Sequence, residues 1–597
     1  MPNDNNKNMI LFIAISAILV LGYQFFVISP AEKRAQIARA QAEATAPATA
    51  AATGPVQSQL SRAQALALGP RVTIDTPSLI GSIALKGARV DDLSLKGYRD
   101  TIEKTSPLVE LLRPEGMADA YFAELGWAGV NLPGLPAPDT VWTLASGDVL
   151  SPGHPVVLTY ASPSGLTFTR RIEIDAKFMF TFTDTVANTG PAPVTLLPYV
   201  SVQRQGLPGG LNKNNIVHEG AIGVLGLDKP DLQLASYKDW KKKGEIDWQS
   251  RGGWLGITDK YWMTAFVPIQ SERIDAKARV TTDRATGIDI YETTYTAGAR
   301  AVASGAQVSE VSHLFAGAKT VPLLKDYQKT IGAPRFDDAV DWGHLWFLTK
   351  PIFWLLEQFY QRVGNFGVAI LMLTVVIRAL TFPLANKGFE MGVKMKKLQP
   401  QLKELQARLK EDPAAQQKEM MALYAKEKVN PVTGCLPIFL QIPVFYSLTK
   451  LFTVTIEMRH APFFGWIHDL SARDPTTIMN LFGLIPWDPS SAPLIGAFLG
   501  GMLHVGVWPL LYGFSMWLSQ SMTPQTGIDP TQQMMFKVMP FLFTFILAQY
   551  SVGLLIYWTW SSLITILQQY LMMRRFKVDN PIDDFIGRFA AKPQPPG

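Results

Sequence analysis

One arginine stands inside an apolar run, LMLTVVIRALTFPL, and Arg378 is the residue with the sharpest chemistry to offer. Twelve residues separate it from Phe366, where the run opens, which places it about 18 Å along a helix at about 1.5 Å per residue. An arginine near the centre of a membrane-spanning helix costs about 2.5–3.5 kcal/mol on insertion scales. A buried acid is the usual offset. The apolar segments 9–28, 366–386, 433–455, 500–520, 535–550 and 553–573 contain no Asp or Glu. Arg378 is therefore either hydrated in a groove within a helical bundle, or its side chain reaches for the interface. Asn386, at the end of the segment, lies about 12 Å away along the axis. In a hydrated groove its chemistry would be electrostatic attraction rather than catalysis.

Other polar side chains could line such a groove. Thr374 is one helical turn before Arg378 on the same face. Gln441 and Ser447 lie in the next apolar segment, Gln520 ends the one after, and Tyr557 and Trp558 lie in the last. Each alone also fits a bland role, since polar side chains commonly hydrogen-bond between spans. Lys450, near the outer end of its segment, reads as a snorkelling cation. Other chemistries lack their residues. The single cysteine, Cys435, excludes a disulfide framework and cysteine-based zinc sites. The seven histidines show no HExxH spacing, and neither GxxxxGK[ST] nor GxSxG occurs. No enzyme, metal site or cofactor is expected. A net charge of +6 over 597 residues is too mild to argue for nucleic acid as a specific ligand.

The elements that must position these residues fall into two populations. Residues 1–28 end in an uncharged run of about 20, long enough to cross a bilayer. Bulky Tyr23, Phe25 and Phe26 stand where a cleavage site would need small residues, so the run reads as an uncleaved anchor. Residues 29–70, rich in Ala, Gln, Thr and Pro, read as a disordered tether. From 71 to 340 the apolar period becomes two. Leu166, Phe168, Ile172 and Ile174 share a face with Arg170 as the exception, and Phe178, Phe180 and Phe182 repeat the pattern. This predicts a large antiparallel sandwich. Trp240 to Lys243 and Asp247 read as a surface excursion between strands.

Residues 341–365 carry Leu345, Leu348, Ile352, Leu356, Phe359 and Val363 on one helical face, interrupted by Lys350, Glu357 and Arg362. They predict an interfacial amphipathic helix. Five spans follow: 366–386, 433–455, 500–520, and two within 535–573. The expected fold is thus a helical polytopic membrane protein with six spans, an N-terminal anchor plus a five-helix core, carrying an all-β outer domain. The loop 387–432 is basic, with ten Lys or Arg against six Asp or Glu over 387–430, and the tail 574–597 opens with Arg574, Arg575 and Lys577. Excess Lys and Arg mark the cytoplasmic side. Six crossings put both there and the sandwich outside, leaving 456–499 as an outer loop and 521–534 as an inner one. Met391, Met395, Leu398, Leu402, Leu405 and Leu409 step by four and three, a coiled-coil seam. Asp412 and Pro413 then open a second helix with Met421 and Tyr424 facing back, so a helical hairpin projects from the inner face.

The stretches TVVIRALTFPL, KMKKLQPQLKELQ, EMMALYAKEKVNPVTGCLPIFLQIPVFYSL, RHAPFFGWIHDLSARDP and GLLIYWTWSSLITILQQ resemble, in order and spacing, the YidC family of membrane protein insertases. The sandwich, with DKYWMTAFVP, resembles the periplasmic β-supersandwich of the family's Gram-negative members, similar in fold to sugar mutarotases. The resemblance implies a bacterial inner-membrane insertase and chaperone in which Arg378 is the groove arginine, with Thr374, Gln520, Tyr557 and Trp558 at groove or substrate-contacting positions. It implies nascent membrane proteins, the lipid bilayer and the Sec translocon with its accessory subunits as partners. Ribosome and targeting factor would dock on the hairpin and loops. The turn QYSVG, where the family usually has a proline, predicts a looser joint, and 481–499 exceeds the common pattern.

Overall fold

A computed structural model describes residues 60–590, apart from 118, 131, 212–216, 410–411, 430–435, 493–494, 502 and 523–529. The N-terminal anchor and residues 29–59 of the tether lie outside the described residues. Residues 60–70, expected in the tether, are docked instead. Ser61 caps a short helix Arg62–Leu66, Ala65 is buried, and Arg62 pairs with Asp92.

Alternation becomes a sandwich of two sheets. Among the described residues the larger has eleven strands. Its main path runs Glu245–Arg251, Arg273–Thr282, Asp289–Ala297, Val194–Gln205, Tyr121–Ala128, Arg89–Arg99, Leu79–Ala84, Arg71–Asp75 and Val149–Leu150. The smaller has nine: Asp231–Ser236, Gly220–Leu225, Trp254–Thr258, Trp262–Pro268, Gln307–Ala318, Met179–Asn188, Leu166–Ile174, Val156–Ala161 and Thr143–Ser146. Phe168, Ile172, Phe180 and Phe182 are all buried between the sheets, as the period-two pattern requires.

Arg170, the exception in that pattern, is also fully buried. It stands directly across from Asp184 on the neighbouring strand. Its guanidinium donates to both carboxylate oxygens, at 2.8 and 2.7 Å, and to the carbonyls of Ala88 at 3.1 Å and Leu125 at 2.9 Å. Each of the three guanidinium nitrogens has an acceptor, which makes a buried charge tolerable. Removing one partner strands the other: Arg170→Ala should destabilise the sandwich by about 3–5 kcal/mol. Denaturant unfolding of the 71–340 fragment, followed by circular dichroism, reads that loss.

The expected surface excursion is a correction. Tyr237–Lys243 is a helix whose Trp240 is fully buried against Tyr237 and Tyr291, and Asp247 belongs to the paired strand Glu245–Arg251. Lysines 241–243 suggested solvent, but a helix this short shows them on one side while burying its aromatics on the other.

Helices make up the second half. α1 (Trp346–Val363) buries Thr349, Ile352, Phe353 and Leu356 and leaves Trp346, Phe347 and Trp354 exposed. Lys350, which interrupts its apolar run, donates to Asp337 and Asp338 at the end of the sandwich. Left-handed Gly364 ends α1, and Asn365 caps α2 (Phe366–Arg408) by accepting from the Val368 N–H. α2 is one helix of 43 residues that runs on through Pro383 and Pro400, so the expected boundary at 386 is no break. Its segment Phe366–Met395 is long and apolar enough to cross a bilayer.

α3 (Pro413–Lys426) opens as expected, with Asp412 accepting from the N–H groups of Ala414 and Ala415. Leu398 and Leu402 pack with Met420, Leu423, Tyr424 and Val429. Met421, placed on that face by the sequence, is exposed; the contact stripe is 420, 423 and 424, one residue round the helix. α4 (Leu436–Val454), α5 (Val507–Met522), α6 (Pro530–Leu547) and α7 (Val552–Arg575) complete the bundle. α5 starts seven residues later than the span expected from 500. The joint before α7 is held rather than loose: the Val552 N–H donates to the Ala472 carbonyl at 2.7 Å, a bond that proline at 552 could not make.

Candidate functional site

A cavity of about 820 Å³ runs among α2, α4, α5, α6 and α7. Arg378 and Trp558 stand at its deep end. Met395, Met522 and Met573 mark the other, towards the C-terminal ends of α5 and α7. Arg378 donates through Nε to the Ser561 hydroxyl at 2.7 Å, and a terminal guanidinium nitrogen reaches the same oxygen. No carboxylate lines this cavity among the described residues. The guanidinium thus has a hydroxyl partner and, among the described residues, no counter-charge in a wall of hydroxyl, amide, aromatic, methionine and aliphatic groups.

Four of the seven residues singled out from sequence line the cavity: Arg378, Gln441, Gln520 and Trp558. Three do not. Thr374 is fully buried and donates to the Ile370 carbonyl of its own helix at 2.7 Å. Tyr557 is fully buried behind the wall, where its hydroxyl accepts from Gln441 Nε2 at 3.0 Å and so orients that amide. Trp558 stacks on Phe445 with ring centroids 5.1 Å apart and an interplanar angle of 4°. Ser447 is buried away from the cavity.

Sequence reasoning missed Ser561, Ser562, Thr565 and Gln569, which extend the wall along α7. The signal was present. Positions 558, 562, 565, 569 and 572 step by four and three, with Ser561 beside them, a polar and methionine stripe on one face of an apolar helix. Gln568, beside the stripe, donates to Asn386 at 3.0 Å and ties α7 to α2. Met391, Met395, Met516, Met522, Met572 and Met573 supply much of the apolar lining. Methionine is flexible and polarisable, so it suits a surface that must fit many partners.

Lys450 corrects a second expectation. It does not snorkel: it is buried and donates to Asp341 Oδ2 at 2.5 Å. Burial works to raise the Asp341 carboxyl, but the Lys450 ammonium and the His218 N–H outweigh it and hold the group below its usual range. Two further links join the sandwich to the helical half. Glu457 accepts from the Val321 N–H at 2.9 Å, and burial pushes its carboxyl up to about 7. Arg459 donates to the Arg99 and Asp100 carbonyls and lies over the rings of Tyr261 and Trp262. The segment that follows α4 is therefore tied to the sandwich through Glu457 and Arg459, beside the Lys450–Asp341 pair.

Comparison with known proteins covers both halves. The family model described as the YidC periplasmic domain matches residues 71–355, and that of the 60Kd inner membrane protein matches 358–580. A membrane protein insertase YidC from Caulobacter vibrioides (strain NA1000 / CB15N) is 54% identical over 617 residues, covering 99% of each chain. One from Beijerinckia indica is 44% identical over 611 residues, again covering 99% of each. Among solved structures, an active YidC insertase with its first transmembrane domain resolved is 15% identical, covers 84% of this chain and 95% of its own, and has a TM-score of 0.35. The matched length takes in the sandwich and the helical half together, and the chain belongs to the YidC family of membrane protein insertases.

Proposed function

We propose that this chain inserts other proteins into the bacterial inner membrane through the cavity below Arg378. A client's polar segment enters from the end where the basic loop leaves the bundle, and the guanidinium attracts acidic groups in that segment. The client's apolar helix then moves outward into lipid. Apolar transfer, at about 25 cal/mol per Å², drives the step, and no covalent bond changes. The observation that carries this reading is Arg378 itself: a charge deep in an apolar bundle, bonded to Ser561, in a cavity lined by no acid among the described residues.

The membrane arrangement belongs to the same proposal. The run 9–28 and helices α2, α4, α5, α6 and α7 are six spans, and α1 lies in the interface with Trp346, Phe347 and Trp354 outward. The sandwich sits in the periplasm; loop 387–432 and the tail sit in the cytoplasm. The exposed face of the hairpin receives ribosome or targeting factor, and the Sec translocon and its accessory subunits work beside the bundle. Topology is tested with a membrane-impermeant thiol probe on Cys435→Ser protein. Applied outside, it should label Asp247→Cys on the sandwich and leave Lys403→Cys on the hairpin unlabelled. Outside labelling at 403 overturns the six-span arrangement.

A further inference from the structure

The loop between α4 and α5 exposes apolar side chains at a backbone cost. Leu481 and Phe482 are adjacent and both left-handed, with φ of 50° and 60°, and Gly483 follows at 92°. Bulky residues rarely adopt that region, and they persist in it only when their surroundings over-determine them. Here the surroundings do. Asn480 Oδ1 accepts from the N–H groups of Thr477 at 3.1 Å and Gly483 at 2.8 Å. The Phe482 N–H reaches the Thr477 carbonyl at 2.8 Å, and the Ile485 N–H reaches that of Asn480 at 3.1 Å. The result turns apolar side chains away from the protein: Leu481 is 54% exposed and Leu484 83%, with Ile478, Phe482, Ile485 and Trp487 also open.

The position of the loop says what covers them. Its base is tied to one end of the bundle. The Ile478 N–H donates to Val505, the Val507 N–H to Thr476, and the Trp508 N–H to Asp474, all at the start of α5. Gln549, between α6 and α7, donates to the Gly501 carbonyl at 2.5 Å. This is the end that carries the sandwich. Between Asp474 and His504 the only charged residue is Asp488, so the patch lacks the polar rim of a protein interface. The helix α5 to which the loop is tied exposes apolar side chains as well, Leu510, Leu511 and Phe514. Trp487 adds the aromatic that favours the headgroup level.

We infer that residues 478–487 form an apolar finger embedded in the outer leaflet of the bilayer, where it fixes the depth of the bundle. This rests on the membrane reading of the helices given above. The test uses full-length Cys435→Ser protein in phosphatidylcholine vesicles, with an environment-sensitive fluorophore on Leu484→Cys. Controls carry it on Leu380→Cys, at the exposed face of α2, and on Asp247→Cys. Nitroxides on the acyl chains should remove most of the emission at 484 and at 380, while iodide in the water should quench 247 and spare both. Quenching of 484 by iodide, with 380 quenched by lipid, overturns the finger and leaves the spans intact. Protection of 484 from both quenchers means that protein covers it, such as a second copy, and also overturns the finger. A probe at 380 that lipid does not quench refutes the membrane reading itself.

Discussion

Arg378→Leu should yield a folded, inserted chain that fails most on clients with acidic translocated tails. Folding survives because an uncompensated charge in an apolar bundle costs about 2.5–3.5 kcal/mol on insertion scales, and leucine removes it. Function falls because nothing else in the cavity lining carries a positive charge among the described residues. Arg378→Lys keeps the charge and loses the planar fork that puts two nitrogens on Ser561. It should retain most activity. Arg378→Glu should be worse than leucine for acidic tails, through like-charge repulsion. The measurement is insertion of one client whose tail acids are neutralised stepwise, across the three variants. A defect identical for acidic and neutral tails refutes the attraction.

Ser562→Trp should abolish insertion of every client, whatever its tail charge. Ser562 lines the cavity while half-buried, so an indole there enters space already empty rather than forcing a packed core apart. The melting temperature should therefore hold. The contrast with Arg378→Leu separates the two jobs of the site: volume serves every client, charge serves the acidic ones. Wild-type insertion by Ser562→Trp, with an unchanged melt, would remove the cavity from the client's path.

Sequence carried the sandwich because a two-sided sheet writes its burial directly as alternation, at Leu166 to Ile174 and again at Phe178 to Phe182. It carried the α3 cap because Asp412 and Pro413 are local signals. It missed what depends on distant partners. Arg170 broke the strand pattern because Asp184 lies 14 positions away, directly across the ladder. Lys450 read as snorkelling because Asp341 is 109 positions upstream. Thr374 shares a helical side with Arg378, yet it sits in the packed core while Arg378 reaches the cavity, since the neighbours that fill one side of a helix are not local. The stripe on α7 was legible, but an apolar helix of 24 residues draws attention to its hydropathy and away from its minority polar face. The late start of α5 was harder to read: the run 492–522 is mostly apolar, and the hydrogen bonds that tie the start of the helix go to Thr476 and Asp474, 31 and 34 positions upstream.

Insertion through the Arg378 cavity needs no chemical energy source, so this chain should move a simple client into lipid unaided. A small two-span membrane protein with an acidic translocated segment, synthesised in the presence of vesicles that contain only this chain, tests it most directly. The segment should become protected from added protease, and Arg378→Leu vesicles should protect it far less. Protection no greater than in protein-free vesicles, with the chain folded and correctly oriented, would contradict it.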